Sequence, residues 1–287
     1  MVAKLLPLIP KHKIYVEPFG GGANLLIAKE PSLVEVYNDL DEGLVNFFRV
    51  LRDKDKFQKF YEQIVLTPYS RKEFYYCRET WQSETDDVMR AVKWFVMARQ
   101  SFSGDIYGGW SYSIEQSARG MSSAVSKWLN TIEMLPEICE RLLRVQIECN
   151  DFRKVMETYD TPETFFYLDP PYVPDTRRAG QYRCEMSIDD HKDLVNILLK
   201  INGKAMLSGY DNEIYKPLEI AGWQKLSFEV VSSAAGKTRN SNLQGKGSAK
   251  KYQKRIECVW LSPNCETIPK NEKQLTLLQD FVDNETS

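Results

Sequence analysis

The chain has 287 residues, 43% of them hydrophobic and 27% charged, with a formal net charge of -2. That length suffices for one large domain or one domain carrying a substantial insertion, and the charge balance excludes a globally basic nucleic-acid binder, so any such partner must be met by a local basic surface. The six cysteines include no C-x-x-C pair and only two histidines accompany them, so no metal site is expected and the thiols read as those of a reduced, cytoplasmic protein.

The opening "MVAKLLPLIP" is too short and too broken by proline for a signal or membrane-spanning segment, and no membrane association is expected. "KIYVEPFGGGANLL" reads as a short strand, a tight glycine turn and the start of a helix. In "SLVEVYNDLDEGLVNFFRVLRD" a second buried strand is predicted at Val34 to Tyr37, and helical spacing runs from Asp41 through Leu44, Val45, Phe48 and Leu51. Asn38 and Asp39 then fall at a strand's carboxyl end. Residues 54–144 break this rhythm with the helical patterns "DDVMRAVKWFVMARQSF" and "SSAVSKWLNTIEMLPEICERLL". The aromatic, glycine-rich stretch between them, "SGDIYGGWSYSIEQSARGM", reads as a loop.

After this region, Val145 to Cys149, "TFFYLDPPY" and "GKAMLSGY" supply three more short apolar strands. "WQKLSFEVV" and "RIECVWLSP" flank a polar, basic stretch containing Lys250 and Lys251, the pattern of a hairpin with a long tip. Strands alternating with helices predict an α/β fold with a mainly parallel, Rossmann-like sheet. It would be divided as 1–53 and 145–287 around a helical insertion at 54–144. Ligands of such sheets bind beyond the carboxyl ends of the strands, where Phe19 to Gly22, Asp39, Asp151, Asp169 to Tyr172 and Ser208 to Tyr210 all fall.

The glycine turn alone is explained equally well by local geometry or by close approach of a ligand. Asp39 at the end of the next strand suits ribose hydroxyls, and Asp39 or Asp41 suits the cap of the following helix. Together these features favour a nucleoside-type ligand. In "FFYLDPPY" the prolines cannot continue a central ladder, so Pro170 and Pro171 stop the strand at Asp169. They leave a carboxylate, a carbonyl outside the sheet and an aromatic ring. That set matches a planar heterocycle bearing an exocyclic amine, which would donate to Asp169 and the Pro170 carbonyl while Tyr172 stacks on the ring.

In this order, "YVEPFGGGANLL", "VYNDLD" and "FFYLDPPY", with "CNDF", "YRCEMSIDDH", "MLSGY" and "RIECVWLSP", resemble the Dam-like, D12-class DNA adenine N6-methyltransferases of the alpha subgroup, over almost the whole chain. The resemblance implies a Rossmann-like S-adenosylmethionine-dependent methyltransferase sheet whose insertion is the target-recognition domain. Phe19, Gly20, Gly21 and Gly22 would line S-adenosylmethionine, Asp39 would hold its ribose, Asp151 with Phe152 would flank its adenine, and Asp169 would adjoin it. Asp169, Pro170, Pro171 and Tyr172 would receive an adenine flipped out of duplex DNA, at a cost of roughly a few kcal/mol. N6 would attack the methyl in line, with Asp169 as an electrostatic and positioning group, no metal and no cysteine nucleophile. Cytosine N4 offers the same donors, and a DNA-binding protein with little catalysis shares the fold; both stay open at this point.

For double-stranded DNA, Arg177, Arg178, Tyr182 and Arg183 are phosphate candidates, and Lys250 and Lys251 a further clamp. In the insertion Arg99, Gln100, Ser101, Phe102, Tyr107, Trp110 and Arg119 suit base-edge readout, wedging or phosphate binding. A partner restriction endonuclease and a monomeric or weakly dimeric state complete the expectation. One departure stands out: family members usually carry a Gly-Gly-Lys segment about a dozen positions before the "LIP"-like run. This sequence has none, and weakened S-adenosylmethionine binding is expected.

Overall fold

The computed structural model describes residues 1–102, 108–114, 116–173, 185–231 and 254–265. They form two compact units, one of Met1–Tyr37 with the described chain from Asp151 onward, the other of Asn38–Asn150. In chain order the first unit begins with α1 (Val2–Leu5), β1 (Ile14–Glu17), α2 (Asn24–Ala28) and β2 (Val34–Asn38), whose last residue opens the second unit.

The second unit holds α3 (Glu42–Leu51), α4 (Lys54–Leu66), α5 (Arg71–Thr80), α6 (Asp87–Gln100), β3 (Ser117–Ala118), β4 (Met121–Ser122), α7 (Ser123–Glu133), α8 (Leu135–Leu142) and β5 (Gln146–Glu148). The first unit resumes with α9 (Phe152–Tyr159), β6 (Thr164–Leu168), α10 (Ile188–Leu198), β7 (Lys204–Gly209), α11 (Lys216–Ile220), β8 (Gln224–Val231) and β9 (Lys254–Leu261).

The strands of the first unit lie in the order β2-β1-β6-β7-β9-β8. β2, β1, β6 and β7 are parallel, whereas β9 runs antiparallel between β7 and β8. All five residues of β6 are buried, which explains why "TFFYL" shows no alternation: both faces of a parallel sheet are covered. Phe166 and Leu168 pack with Phe152, Val155 and Met156 of α9 and with Leu194, Val195 and Leu198 of α10. Phe165 lies on the other face, 5.9 Å from Tyr15 and 5.5 Å from His12 between ring centroids. Each such side chain contributes about 1.5–3 kcal/mol by leaving water. Because β1 has β2 on one side and β6 on the other, the chain reverses direction across the sheet there, and the carboxyl ends of β1 and β6 flank a switch point.

The predicted strands are present, and the two runs expected to pair as a hairpin do so in full antiparallel register from Gln224↔Leu261 to Val231↔Lys254. In the second unit the aromatic face of α3 meets α4 and α6: Phe47 stacks on Phe95 at 5.4 Å and 20°, and Phe60 closes edge-on. Two details differ from expectation. The last helical pattern is broken into α7 and α8, with Pro136 in the first turn of α8, where its missing N–H costs no ladder bond. The stretch read as a loop holds the β3–β4 hairpin, turned by Arg119 and Gly120 at φ 56° and 73°. Two left-handed residues are what a tight hairpin turn requires, and only the glycine announces it in sequence.

Candidate active site

β1 delivers Glu17 and then Pro18 to Gly22 to the carboxyl edge of the first unit. Gly20 is required by packing: a Cβ there would lie 2.2 Å from Cε2 of Tyr37, which is fully buried. The Tyr37 hydroxyl donates to the Gly21 carbonyl at 2.8 Å, so β2 holds the turn through a side chain of its own. Gly21 adopts φ 47° and faces open space where a Cβ would project. The Ala23 N–H closes the turn on the Gly20 carbonyl at 2.8 Å. Phe19 is half-buried against Phe152, with ring centroids 5.1 Å apart.

Glu17 was not singled out by sequence, yet it is a buried acid at this edge. Only 1% exposed, it accepts the Tyr15 hydroxyl at 2.7 Å. Burial pushes its carboxyl up to about 8; the bonds from Tyr15 and the Leu26 N–H pull the other way, and the Asp169 carboxylate adds to the rise.

β6 ends at Leu168, Asp169 follows it directly, and Pro170 behind it is buried. Asp169 is an exposed residue, yet loss of water around its carboxyl group raises it to about 6, with the Glu257 carboxylate of β9 adding to the effect. The half-buried Tyr172 meets Tyr210, just past β7, at 4.5 Å and 56°. Below them Ser208 donates to the Tyr167 hydroxyl at 3.3 Å. β6, β7 and β9 thus converge a carboxylate, a second acid and two tyrosines. Neither Glu257 nor the ring contact of Tyr210 is visible in sequence, because both come from strand order.

Asp151 caps α9 by accepting the Arg153 N–H at 2.8 Å and pairs with the Arg153 guanidinium at 2.9 Å. Arg153 also binds Asp193 at 2.8 Å and Asp190, and the guanidinium beside it, helped by Ser187, holds Asp190 down at about 2. Asp151 therefore has a structural task that also fixes Phe152, the first residue of α9, against Phe19.

In the second unit, Asp39 is half-buried and accepts the Asp41 N–H at 2.8 Å, while Asp41 caps α3. Beside it Asn38 is buried and exchanges two bonds with the backbone of Asn150, at 2.9 and 2.8 Å. These are the two ends of the run Asn38–Asn150, so one side chain ties the ends of that run together. Arg99 is exposed and donates to Thr131 at 2.9 Å. Arg119 pairs with Glu133 through both guanidinium nitrogens at 3.1 and 3.0 Å. Phe102 is exposed and Trp110 half-buried.

Gln100 is corrected: it is 0% exposed, with its side chain committed to the Ser70 N–H, the Trp110 indole and the Pro68 carbonyl, so it cannot read a base edge. Ser101, 5% exposed and donating to the Ala98 carbonyl, is likewise internal. Tyr107, Arg177, Arg178, Tyr182, Arg183, Lys250 and Lys251 lie outside the described residues. No helix among the described residues is long and apolar enough to cross a membrane.

Residues 1–226 match the family described as D12 class N6 adenine-specific DNA methyltransferase. Among curated proteins, the chain is similar to the type II methyltransferase M.MjaIII of Methanocaldococcus jannaschii, 26% identical over 223 residues, which is 70% of this chain and 74% of that protein. It is also similar to the type II methyltransferase M1.LlaDCHI of Lactococcus lactis subsp. cremoris, 27% identical over 246 residues, which is 76% of this chain and 82% of that protein.

Proposed function

The chain belongs to the D12 class of N6 adenine-specific DNA methyltransferases, and from that premise we propose that it takes its methyl group from S-adenosylmethionine and receives a flipped-out adenine at Asp169. The family places adenine ahead of cytosine N4 as the substrate. The observation that carries the proposal is Asp169 directly after β6, its carboxyl raised by loss of water, followed closely in the chain by Tyr172, which pairs with Tyr210.

S-adenosylmethionine supplies, when bound, an electrophilic methyl group on its sulfonium. The residues present fit such a ligand: Gly21 offers open space beside its backbone, and the Phe19–Phe152 contact gives an apolar flank. Phe19, Gly20, Gly21, Gly22, Asp151 and Phe152 are assigned to the cofactor, with Asp39 taking ribose hydroxyls. Asp39 suits that role as an acceptor already oriented by the Asp41 N–H.

Asp169, Pro170, Pro171 and Tyr172 are assigned to the base. The adenine amine is a weak nucleophile because its lone pair is delocalised into the ring. A carboxylate at Asp169 and the Pro170 carbonyl accept its two hydrogens and favour the pyramidal nitrogen whose lone pair attacks. Tyr172 covers the ring, and the stacking offsets part of the cost of unpairing it, roughly a few kcal/mol. Residues 54–144 are assigned to target recognition, with Arg99, Tyr107, Trp110 and Arg119 there, and Arg177, Arg178, Tyr182, Lys250 and Lys251 elsewhere, as DNA contacts. The type II naming of the relatives supports a partner restriction endonuclease, and we place the protein in the cytoplasm as a monomer or weak dimer.

Incubation with labelled S-adenosylmethionine and mixed-sequence duplex DNA, followed by digestion to nucleosides, tests the proposal: label is expected in N6-methyladenine alone. Asp169→Ala should abolish it while leaving cofactor affinity by calorimetry close to wild type, and Asp39→Ala should chiefly weaken that affinity. Equal turnover by wild type and Asp169→Ala sinks the assignment.

A further inference from the structure

Two short segments of the helical unit, Tyr69-Ser70-Arg71 where the chain enters α5 and Trp110-Ser111-Tyr112, are fastened to one buried residue. The Gln100 side-chain oxygen accepts from the Ser70 N–H at 3.2 Å and from the Trp110 indole at 3.3 Å, and the Gln100 backbone carbonyl accepts from the Ser111 N–H at 2.8 Å. The Tyr69 hydroxyl donates across to the Ser111 carbonyl at 2.8 Å. The side chains of Tyr69, Arg71, Trp110 and Tyr112 assemble into one cluster. Trp110 and Tyr112 stack at 6.1 Å and 17°, Tyr69 tilts onto Trp110 at 5.2 Å, and the Arg71 guanidinium lies 5.0 Å from the Trp110 ring and 5.6 Å from that of Tyr112.

Rings that serve only the fold are buried by it, whereas Tyr112 is 58% exposed and Arg71 is exposed as well. The segments Tyr69–Lys72 and Gly108–Ile114 carry two cations, Arg71 and Lys72, and an acid directly follows each, Glu73 and Glu115. The exposed Arg71 and Lys72 suit contact with a phosphate. Aromatic faces with a planar cation among them match an unstacked nucleobase and its phosphate.

We infer that Arg71, Trp110 and Tyr112 form a nucleobase-stacking platform that holds an unpaired base of the bound DNA. Gln100 is its positioning residue. The inference rests on the assignment of residues 54–144 to DNA. Only Trp110 was marked by sequence; Arg71 and Tyr112 join it through the fold.

Fluorescence anisotropy over a salt series, using the full chain and a labelled duplex with a site methylated by the enzyme, tests the platform. A second duplex carries one unpaired base near that site. Tyr112→Ala is expected to weaken binding by about tenfold, in the range that base stacking gives, more on the second duplex than on the first and with the salt slope unchanged. Arg71→Ala should reduce the salt slope by about one phosphate contact, whereas Arg71→Lys restores the slope without restoring affinity. Tyr112→Leu, which keeps apolar packing on Trp110 without a π-face, must behave as Tyr112→Ala does and carries the test should the alanine variant fail to fold. Wild-type affinity and slope in all of these variants overturns the platform and leaves the DNA assignment standing. Failure of the wild-type chain to bind either duplex overturns that assignment and the platform with it.

Discussion

Replacing Glu17 by Gln tests whether a neutral acid underlies the glycine turn. Its carboxyl is raised from an ordinary 4.5 to about 8 by burial, so the folded chain holds a proton that the unfolded chain releases anywhere between those values. Between pH 4.5 and 8 the folded state binds more protons, and stability must therefore fall as pH rises through that window. Each pH unit removes about 1.4 kcal/mol for one proton. The loss reaches about 3 kcal/mol at pH 7 and levels off at about 5 kcal/mol above pH 8. Glutamine can accept the Tyr15 hydroxyl and the Leu26 N–H as glutamate does, and it has no proton to lose. Urea unfolding of the two proteins at a series of pH values from 5 to 8.5 isolates the effect, because the contribution of Asp169 is common to both. The difference in unfolding free energy should tilt toward the glutamine variant by about 1.4 kcal/mol per pH unit. A difference that does not change with pH shows Glu17 to be ionised in the fold and refutes the reasoning.

The methylation rate should depend on pH through Asp169, whose carboxylate accepts the amine hydrogens only when ionised. kcat/KM is expected to rise through about pH 6 and then flatten, and Glu257→Gln should move that rise to lower pH by removing a like charge; an unmoved limb excludes Glu257 as its cause. Gly20→Ala should cost about 1–3 kcal/mol of stability by driving a methyl group into Tyr37. Gly22→Ala, which meets only Asn24 at 3.3 Å, should cost clearly less, and equal urea midpoints for the two variants would contradict the packing account. Asn38→Ala leaves the Asn150 N–H and carbonyl without their partner. It should destabilise by about 1–3 kcal/mol, with amide exchange accelerating first at Asn150.

The parts of the fold that could be read from sequence are those whose causes are local. "TFFYL" is a buried strand because five apolar or β-favouring residues in a row leave no polar face, and "DPPY" ends it because proline cannot donate to a ladder. The order of the strands has no such local cause, since β9 inserts between β7 and β8 to bring Glu257 near Asp169. The reason for Gly20 is likewise remote: it lies 17 positions later, in the ring of Tyr37.

Polar residues near apolar runs were the hardest to interpret, because composition does not say whether a side chain faces solvent or a buried partner. Gln100, at the end of α6 beside Arg99, has the chemistry of a base reader and is instead the buried anchor of Ser70 and Trp110. Glu17, at the end of β1, reads as the last residue before a turn and proves to be a buried acid tied to Tyr15. For Gln100 the deciding partners came from other parts of the unit, whereas for Glu17 the partner is two residues back in β1 and what decides is burial by the surrounding fold. The same holds for the platform: Trp110 is conspicuous in sequence, but Arg71 and Tyr112 acquire a role only once Gln100 draws their segments together.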